Sequence, residues 1–342
     1  MDGAARRLSV VCPAYEEEEV LPHFHRELCS VLAQLEATYD VEILYVDDGS
    51  CDGTLEVIRQ LAQGDKRVRY LSLSRNFGHQ AALTAGLEHA QGDVVITMDT
   101  DLQHPPALVP RLLQKWQQGF DIVLTIRKED PHLGFAKRWT SRWFYRIMHL
   151  LGDTDIRLAA ADYRLMSDRA VNALLRLRET HRFLRGMVQW LGFTVAEVPF
   201  DPAPRKAGTS KYTLQRMFNL ALDGLFSFSK LPLRVAPVLG GLCMLLAMLL
   251  GAGLLVRAIW PGGEGPSSAA VLLTSLYFLG GSILLTLGIV GEYVGRIYEQ
   301  TKARPLYLLK DRSPVFSAGL RLDRRHPSSY GRRTRKTATR PR

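Results

Sequence analysis

The chain has 342 residues, a net charge of +10 and four cysteines. That length gives ample material for a core in one large domain or two smaller ones. Cys12, Cys29, Cys51 and Cys243 show no CxxC or zinc-site spacing, which excludes a zinc module and fits a reducing compartment.

From the N-terminus, β-forming runs alternate with helical patterns. The runs are "LSVVC" at Leu8, "VEILYV" at Val41, "VRYLSL" at Val68, "VVITM" at Val94 and "IVLTI" at Ile122. Between them lie helical stretches such as "TLEVIRQLAQ" from Thr54 and "ALVPRLLQKWQQ" from Ala107. The alternation predicts a mainly parallel sheet covered on both faces, with ligands gathered at the carboxyl ends of its strands. Those ends read "PAYEEEE", "DDGSCDGT", "SRNFGHQ", "DTDLQ" and "RKED", a polar collection fit for one shared site. No GxGxxG follows the first run, which counts against a dinucleotide-binding dehydrogenase. No signal peptide is expected before Leu8, because the first apolar run already passes into strand and turn.

The stretch "VVITMDTDLQHPP" carries two aspartates one residue apart. If the strand continues through them, Asp99 and Asp101 point to the same side and their charges call for a cation between them. Hard oxygen ligands suit Mg²⁺ or Mn²⁺ shared with substrate phosphates. The alternative is a solvated turn capping a helix that begins at proline.

Further along, Thr209–Arg234 repeats Leu214, Met217, Phe218, Leu222, Leu225 and Phe226 at three- and four-residue steps, among Lys211, Arg216 and Lys230. This predicts a basic amphipathic helix in the membrane interface, against the plainer reading of a core-facing helix. Val235–Ile259 and Ala269–Val290 are almost wholly apolar, and each exceeds the roughly 20 residues that cross a bilayer. A mean hydropathy of −0.04 conceals them. The short "WPGGEGPSS" between them predicts a hairpin, with both polar regions on one side. The tail after Lys310 is arginine-rich and holds only Asp311 and Asp323 as acids. Basic flanks place that side, and both termini, in the cytoplasm. Anionic lipid accounts for the tail more simply than nucleic acid does. The resulting divisions are 1–208, a catalytic domain; 209–234, an interfacial region; 235–294, two spans; and 295–342, a juxtamembrane segment and tail.

Taken together, "VVCPAYEEEE", "LYVDDGSCDGT", "LSRNFGHQAALTAGLEHAQGD", "MDTDLQHPP", "ADYRLM" and "RKAGTSKY" resemble a family 2 glycosyltransferase of the GT-A fold. More narrowly the chain is similar to polyprenyl-phosphate glycosyltransferases, the group of dolichol-phosphate mannose synthases and bactoprenol glucosyltransferases. The resemblance implies inverting transfer of a sugar from a nucleotide sugar to polyprenyl phosphate. The bacterial branch points to glucose or a related hexose, UDP, undecaprenyl phosphate, the bacterial inner membrane and extracytoplasmic glycan modification. A GDP-mannose-dependent enzyme is the alternative, and a non-catalytic lipid-binding scaffold a more distant one. Relatives imply a homo-oligomer, a tetramer by resemblance, and no nucleic acid partner is expected.

By the same resemblance Pro13, Tyr15 and Glu17 line the base and ribose, Asp48 accepts from a base N–H, and Arg75 with Asn76 supports the diphosphate beside Asp99. The family has Asn where this chain has Glu16. Asp99 and Asp101 hold Mg²⁺ or Mn²⁺, to which Gln103 can add an amide oxygen. Asp162 matches the catalytic base. A lipid monophosphate loses its second proton near pH 6, however, so Asp162 is either a base or an orienting group. An arriving dianion needs cations, for which Arg127, Lys137, Arg138, Arg205 and Lys211 are the candidates, with Ser141 and Ser210 as donors.

Overall fold

Buried without interruption from Leu8 onward, the run from Arg6 forms the central strand β1 (Arg6–Ala14). This is the pattern of a strand covered on both faces. The computed structural model describes residues 6–127, 160–201 and 268–314, with 240, 242, 243, 245, 248, 249, 252 and 253. The strands that follow β1 are β2 (Tyr39–Asp47), β3 (Val68–Leu73), β4 (Val94–Thr97), β5 (Ile122–Arg127), β6 (Ala160–Ser167), β7 (Val195–Phe200) and β8 (Leu309–Arg312). They form one sheet in the order β7-β5-β6-β4-β1-β2-β3-β8. All run parallel except β6 and β8. The mainly parallel sheet expected from the alternation is present.

Alternation along β1 builds both core layers. Leu8, Val10 and Cys12 face α1 (Leu21–Leu32) and α4 (Val109–Gln117). Val11 faces α3 (His79–His89), α5 (Asp168–Arg176) and α6 (Leu184–Trp190). α2 (Thr54–Gly64) joins the first layer through Ile58. Small residues let α3 approach closely, and a Cβ placed on Gly86 would lie 2.2 Å from Val11 Cγ1. Larger side chains there would push the helix, and the loop it starts from, off the sheet.

The sheet ends on β8, which pairs antiparallel with the edge strand β3. Arg59 Nη2 bonds Asp311 Oδ2 at 2.7 Å, and Ser313 N–H donates to the Tyr70 carbonyl at 3.0 Å. Before it stands α7 (Ser268–Thr301), whose segment Val271–Thr301 is apolar enough to cross a membrane and is not buried against the protein. It continues past the predicted end at Val290. The described residues between 240 and 253 are helical, and Cys243 Sγ lies 3.1 Å from Ser282 Oγ. The interfacial helix predicted over 209–234 lies outside the described residues, as does the tail beyond 314. The four cysteines are unbridged.

Candidate active site

The parallel strands deliver their carboxyl ends to one edge of the sheet, and the reversed strand β6 delivers its amino end there. β6 pairs Arg164 with Thr97 of β4. Just past that pair, Asp162 and Asp99 come to either side of the His79 ring. Thr97 Oγ1 donates to the Asp162 carbonyl at 2.5 Å, which ties the two strands at this point.

β4 stops at Thr97, so one expectation is corrected: Asp99 and Asp101 are not same-side positions of a strand. They lie on a turn in which Leu102 adopts a left-handed φ of 60°. Pro105 and Pro106 follow, and prolines cannot extend a sheet ladder. Local bonds brace the turn. Thr100 Oγ1 donates to the Pro13 carbonyl at 3.2 Å, Gln103 N–H donates to Asp101 Oδ1 at 3.0 Å, and Asp99 N–H donates to His104 Nδ1 at 3.2 Å. His104 packs against Tyr163 and Phe200, with ring centroids 5.3 and 6.0 Å away. Arg127 Nη2 donates to Gln103 Oε1 at 2.8 Å, so that amide oxygen is directed at a guanidinium.

Asp162 is buried and surrounded by cations. Arg164 bonds Oδ1, Arg185 bonds Oδ2 through Nη2 at 2.7 Å and Nε at 3.1 Å, and His79 Nε2 lies 3.7 Å from Oδ2. Burial opposes ionisation, but Arg185, His79 and Arg164 hold the carboxyl well below the usual carboxylate range. His79 also lies 3.5 Å from Asp99 Oδ1. Burial works against its charge, yet Asp99 and Asp162 push its pKa up to about 9. The arrangement is a carboxylate–imidazolium–carboxylate row, with Asp162 pinned from behind.

Asp99 Oδ1 is buried without a hydrogen-bond partner among the described residues, the His79 ring at 3.5 Å being an ion-pair contact only. An oxygen left this way beside a second carboxylate on the same turn fits a hard divalent cation. One other cluster of suitable donors occurs among the described residues: His25 Nε2, Cys29 Sγ and Asp65 Oδ2, 3.5 to 3.9 Å apart. Arg67 Nη2 sits 2.6 Å from that Asp65 oxygen and 3.3 Å from Cys29 Sγ, so the cluster already holds its positive charge.

The ends of β2 and β3 form the neighbouring wall. Asp48 Oδ1 accepts from Phe77 N–H at 2.8 Å and Oδ2 from Gly78 N–H at 3.0 Å. These bonds organise the start of α3, and with it His79. Gly49, at φ 70°, leaves no room for a Cβ against the Arg75 main chain. Arg75 stacks over Phe77 at 4.2 Å, and Tyr15 bonds the side chains of Asn76 and Glu16. The Glu17 carbonyl accepts from Val20 and Leu21 N–H groups, and its N–H donates to Thr54 Oγ1 at 2.9 Å.

Glu16 sits at φ 52°, a conformation that Asn tolerates better than Glu. Here lies a physical reason for the Asn expected at this position. Glu16→Asn should stabilise the protein by about 1 kcal/mol, seen as a higher Tm of the solubilised chain. An unchanged or lower Tm would count against this strain.

Pro13, Tyr15, Asp48, Arg75, Asp99, Asp101, Gln103, Arg127 and Asp162 therefore lie along one sheet edge or on the loops leaving it. Lys137, Arg138, Ser141, Arg205, Ser210 and Lys211 lie outside the described residues. His79, Arg164 and Arg185 escaped the sequence reading. The first two stand inside quoted motifs, in "SRNFGHQ" and "ADYRLM", but Arg185 has no local signal that links it to Asp162.

Residues 9–175 match the description "Glycosyl transferase family 2". An uncharacterized glycosyltransferase of Synechocystis sp. is 41% identical over 304 residues, covering 89% of this chain and 95% of its own length. The bactoprenol glucosyl transferase of Shigella phage SfX is 40% identical over 306 residues, covering 90% and 99%. Among solved structures, glucosyl-3-phosphoglycerate synthase of Mycobacterium tuberculosis with Mn²⁺, UDP-glucose and phosphoglyceric acid is 19% identical. Its TM-score is 0.43, with 65% of this chain and 78% of that one covered.

Proposed function

The chain belongs to glycosyl transferase family 2, and from that premise we propose that it transfers glucose from UDP-glucose to undecaprenyl phosphate at the cytoplasmic face of a bacterial inner membrane. The catalytic unit is of the GT-A type. The observation that carries this reading is the pair of carboxylates on one turn, Asp99 and Asp101, with buried Asp99 Oδ1 making no hydrogen bond among the described residues and facing the ion-paired Asp162 across His79. Relatives named bactoprenol glucosyl transferase, alike over nearly their whole length, support the sugar and the acceptor.

Asp99 and Asp101 would hold Mg²⁺ or Mn²⁺, which when bound stabilises charge on the departing diphosphate. Gln103 is the weaker third ligand, since Arg127 already engages it. Pro13, Tyr15 and Glu17 form the nucleoside side. Asp48 shapes that pocket through the Phe77 and Gly78 amides, and Arg75 flanks the diphosphate. The acceptor phosphate is its own nucleophile, since most of it is dianionic at neutral pH. Asp162, held ionised by Arg185, His79 and Arg164, orients the reacting groups and takes no proton. Arg127, Lys137, Arg138, Arg205 and Lys211, with Ser141 and Ser210, meet the acceptor phosphate.

The path of the chain supports a hairpin anchor. It leaves the sheet at Phe200 and rejoins it at Leu309, on the same domain, after a spanning helix. A second crossing through the apolar stretch 235–259 would account for that return. The contact of Cys243 with Ser282 fits that pairing.

Membranes carrying the protein, supplied with radiolabelled UDP-glucose, GDP-mannose and related donors, should label a lipid product from UDP-glucose alone. Labelling from GDP-mannose only would replace the donor assignment, and no lipid labelling would refute the function. For the anchor, a membrane-impermeant thiol reagent applied outside should reach a cysteine placed at Gly263 but not one replacing the exposed Arg304, once Cys51 is removed. The reverse pattern would overturn the topology.

A further inference from the structure

At 1.5 Å per residue, the 34-residue helix Ser268–Thr301 is about 50 Å long, well beyond a hydrocarbon core of ~30 Å. Its last turns carry Glu292, Arg296, Glu299 and Gln300, so this end stands clear of the apolar zone and meets the catalytic domain. There the side chain of Gln300 pairs with main chain as a strand edge would. Its Oε1 accepts from Thr180 N–H at 2.8 Å, and its Nε2 donates to the Arg178 carbonyl at 2.7 Å. Beside it, His181 Nε2 lies 2.6 Å from Glu299 Oε2.

The same loop is held from its other side. Arg182 Nη2 donates to the Leu177 carbonyl at 2.6 Å, and its guanidinium lies near Glu88, Glu179 and Tyr307. The chain then runs directly into the catalytic residues. Leu184 N–H donates to Gln80 Oε1 at 3.1 Å, its carbonyl accepts from Arg164 Nη1 at 3.3 Å, and Arg185 grips Asp162.

Resting on the reading of Asp162 as a residue of the reaction, we propose that Gln300 is a positioning residue. The membrane helix, through the loop 177–183, sets the placement of Arg185 and hence of the Asp162 carboxylate. The physical advantage is one of depth. A polyprenyl phosphate sits at a height fixed by the bilayer, and a carboxylate registered to the same bilayer by a rigid helix keeps a constant separation from it. A misplacement of about 1 Å can cost on the order of 100-fold in rate.

The test uses the full chain in lipid nanodiscs containing polyprenyl phosphate. Gln300→Ala should raise amide hydrogen exchange across residues 184–190 about tenfold and lower kcat about 10- to 50-fold. KM for the nucleotide sugar should stay within twofold. His181→Ala, which cuts the adjoining contact, should shift both readouts in the same direction. In an Arg185→Lys background, Gln300→Ala should cause no further loss, because the two act in series. Exchange and kcat both at the wild-type level would overturn the proposal. So would faster exchange with unchanged kcat, or losses from the two substitutions that simply multiply. If the wild type labels no lipid while exchange at 184–190 still rises in Gln300→Ala, the functional reading fails and the mechanical link stands.

Discussion

Asp101→Asn is expected to lower kcat at least about 100-fold, and excess EDTA to stop sugar transfer, with recovery on adding Mg²⁺ or Mn²⁺. The size follows from where charge develops. A nucleoside diphosphate leaving an anomeric carbon concentrates negative charge on its β-phosphate. Losing one preorganised stabiliser at such a point costs about 3 kcal/mol, or roughly two decades in rate. The turn that carries Asp101 should survive the substitution. Asp101 Oδ1 accepts a local N–H, from Gln103, and an Asn oxygen can accept the same bond. The loss should therefore fall on turnover, with Tm nearly constant. Full activity in excess EDTA would end the assignment of these two carboxylates to a cation.

Asp162→Asn is expected to lower kcat by about 100- to 1,000-fold while leaving nucleotide-sugar binding, measured by calorimetry without lipid, nearly intact. Raising the pH from 7 to 9 should not rescue it. Arg185, His79 and Arg164 hold the Asp162 carboxyl well below the usual range against the pull of burial, so the group is ionised throughout the working range and is a poor proton acceptor. The acid limb of the wild-type profile should instead follow the acceptor phosphate, near pH 6. A base role predicts the opposite, partial rescue at alkaline pH as the acceptor sheds its remaining proton. Lost nucleotide affinity with unchanged turnover would contradict both.

The same carboxylate bears on stability. Its folded-state pKa is depressed, so its contribution is present above the unfolded value of about 4 and lost only as pH falls towards the folded one. Asn at this position leaves Arg164, which is 2% exposed, facing a neutral amide. A lower Tm should accompany the lower kcat, because an uncompensated buried charge is costly.

The strands through Ile122, the helices at Thr54 and Val109, and the second apolar helix were legible in the sequence because each rests on a local pattern. A short run of β-formers, the 3.6-residue stripe and an unbroken apolar run need no distant partner. The residue types of the site were legible for a related reason. In a mainly parallel sheet the carboxyl ends must converge, so "DDGS", "SRNFGHQ" and "DTD" belong together on the strength of the sequence pattern. The turn at Asp99 was misread because "VVITM" continues as a β-former to Met98, while the prolines that end the ladder come several residues later.

By itself, then, the sequence determined the layered sheet, the polar edge and the apolar helix that follows. Tertiary structure alone decided that β6 runs backwards between β4 and β5, which brings Asp162 and Asp99 to either side of the His79 ring, and that Arg185 reaches Asp162. It alone decided that Gln300 clasps the loop before Arg185 and that β8 closes the edge of β3. The physical reason is that side-chain alternation along a strand reads the same in either direction. Direction and register are set by which partner a strand finds, and that choice is made between residues far apart in the chain.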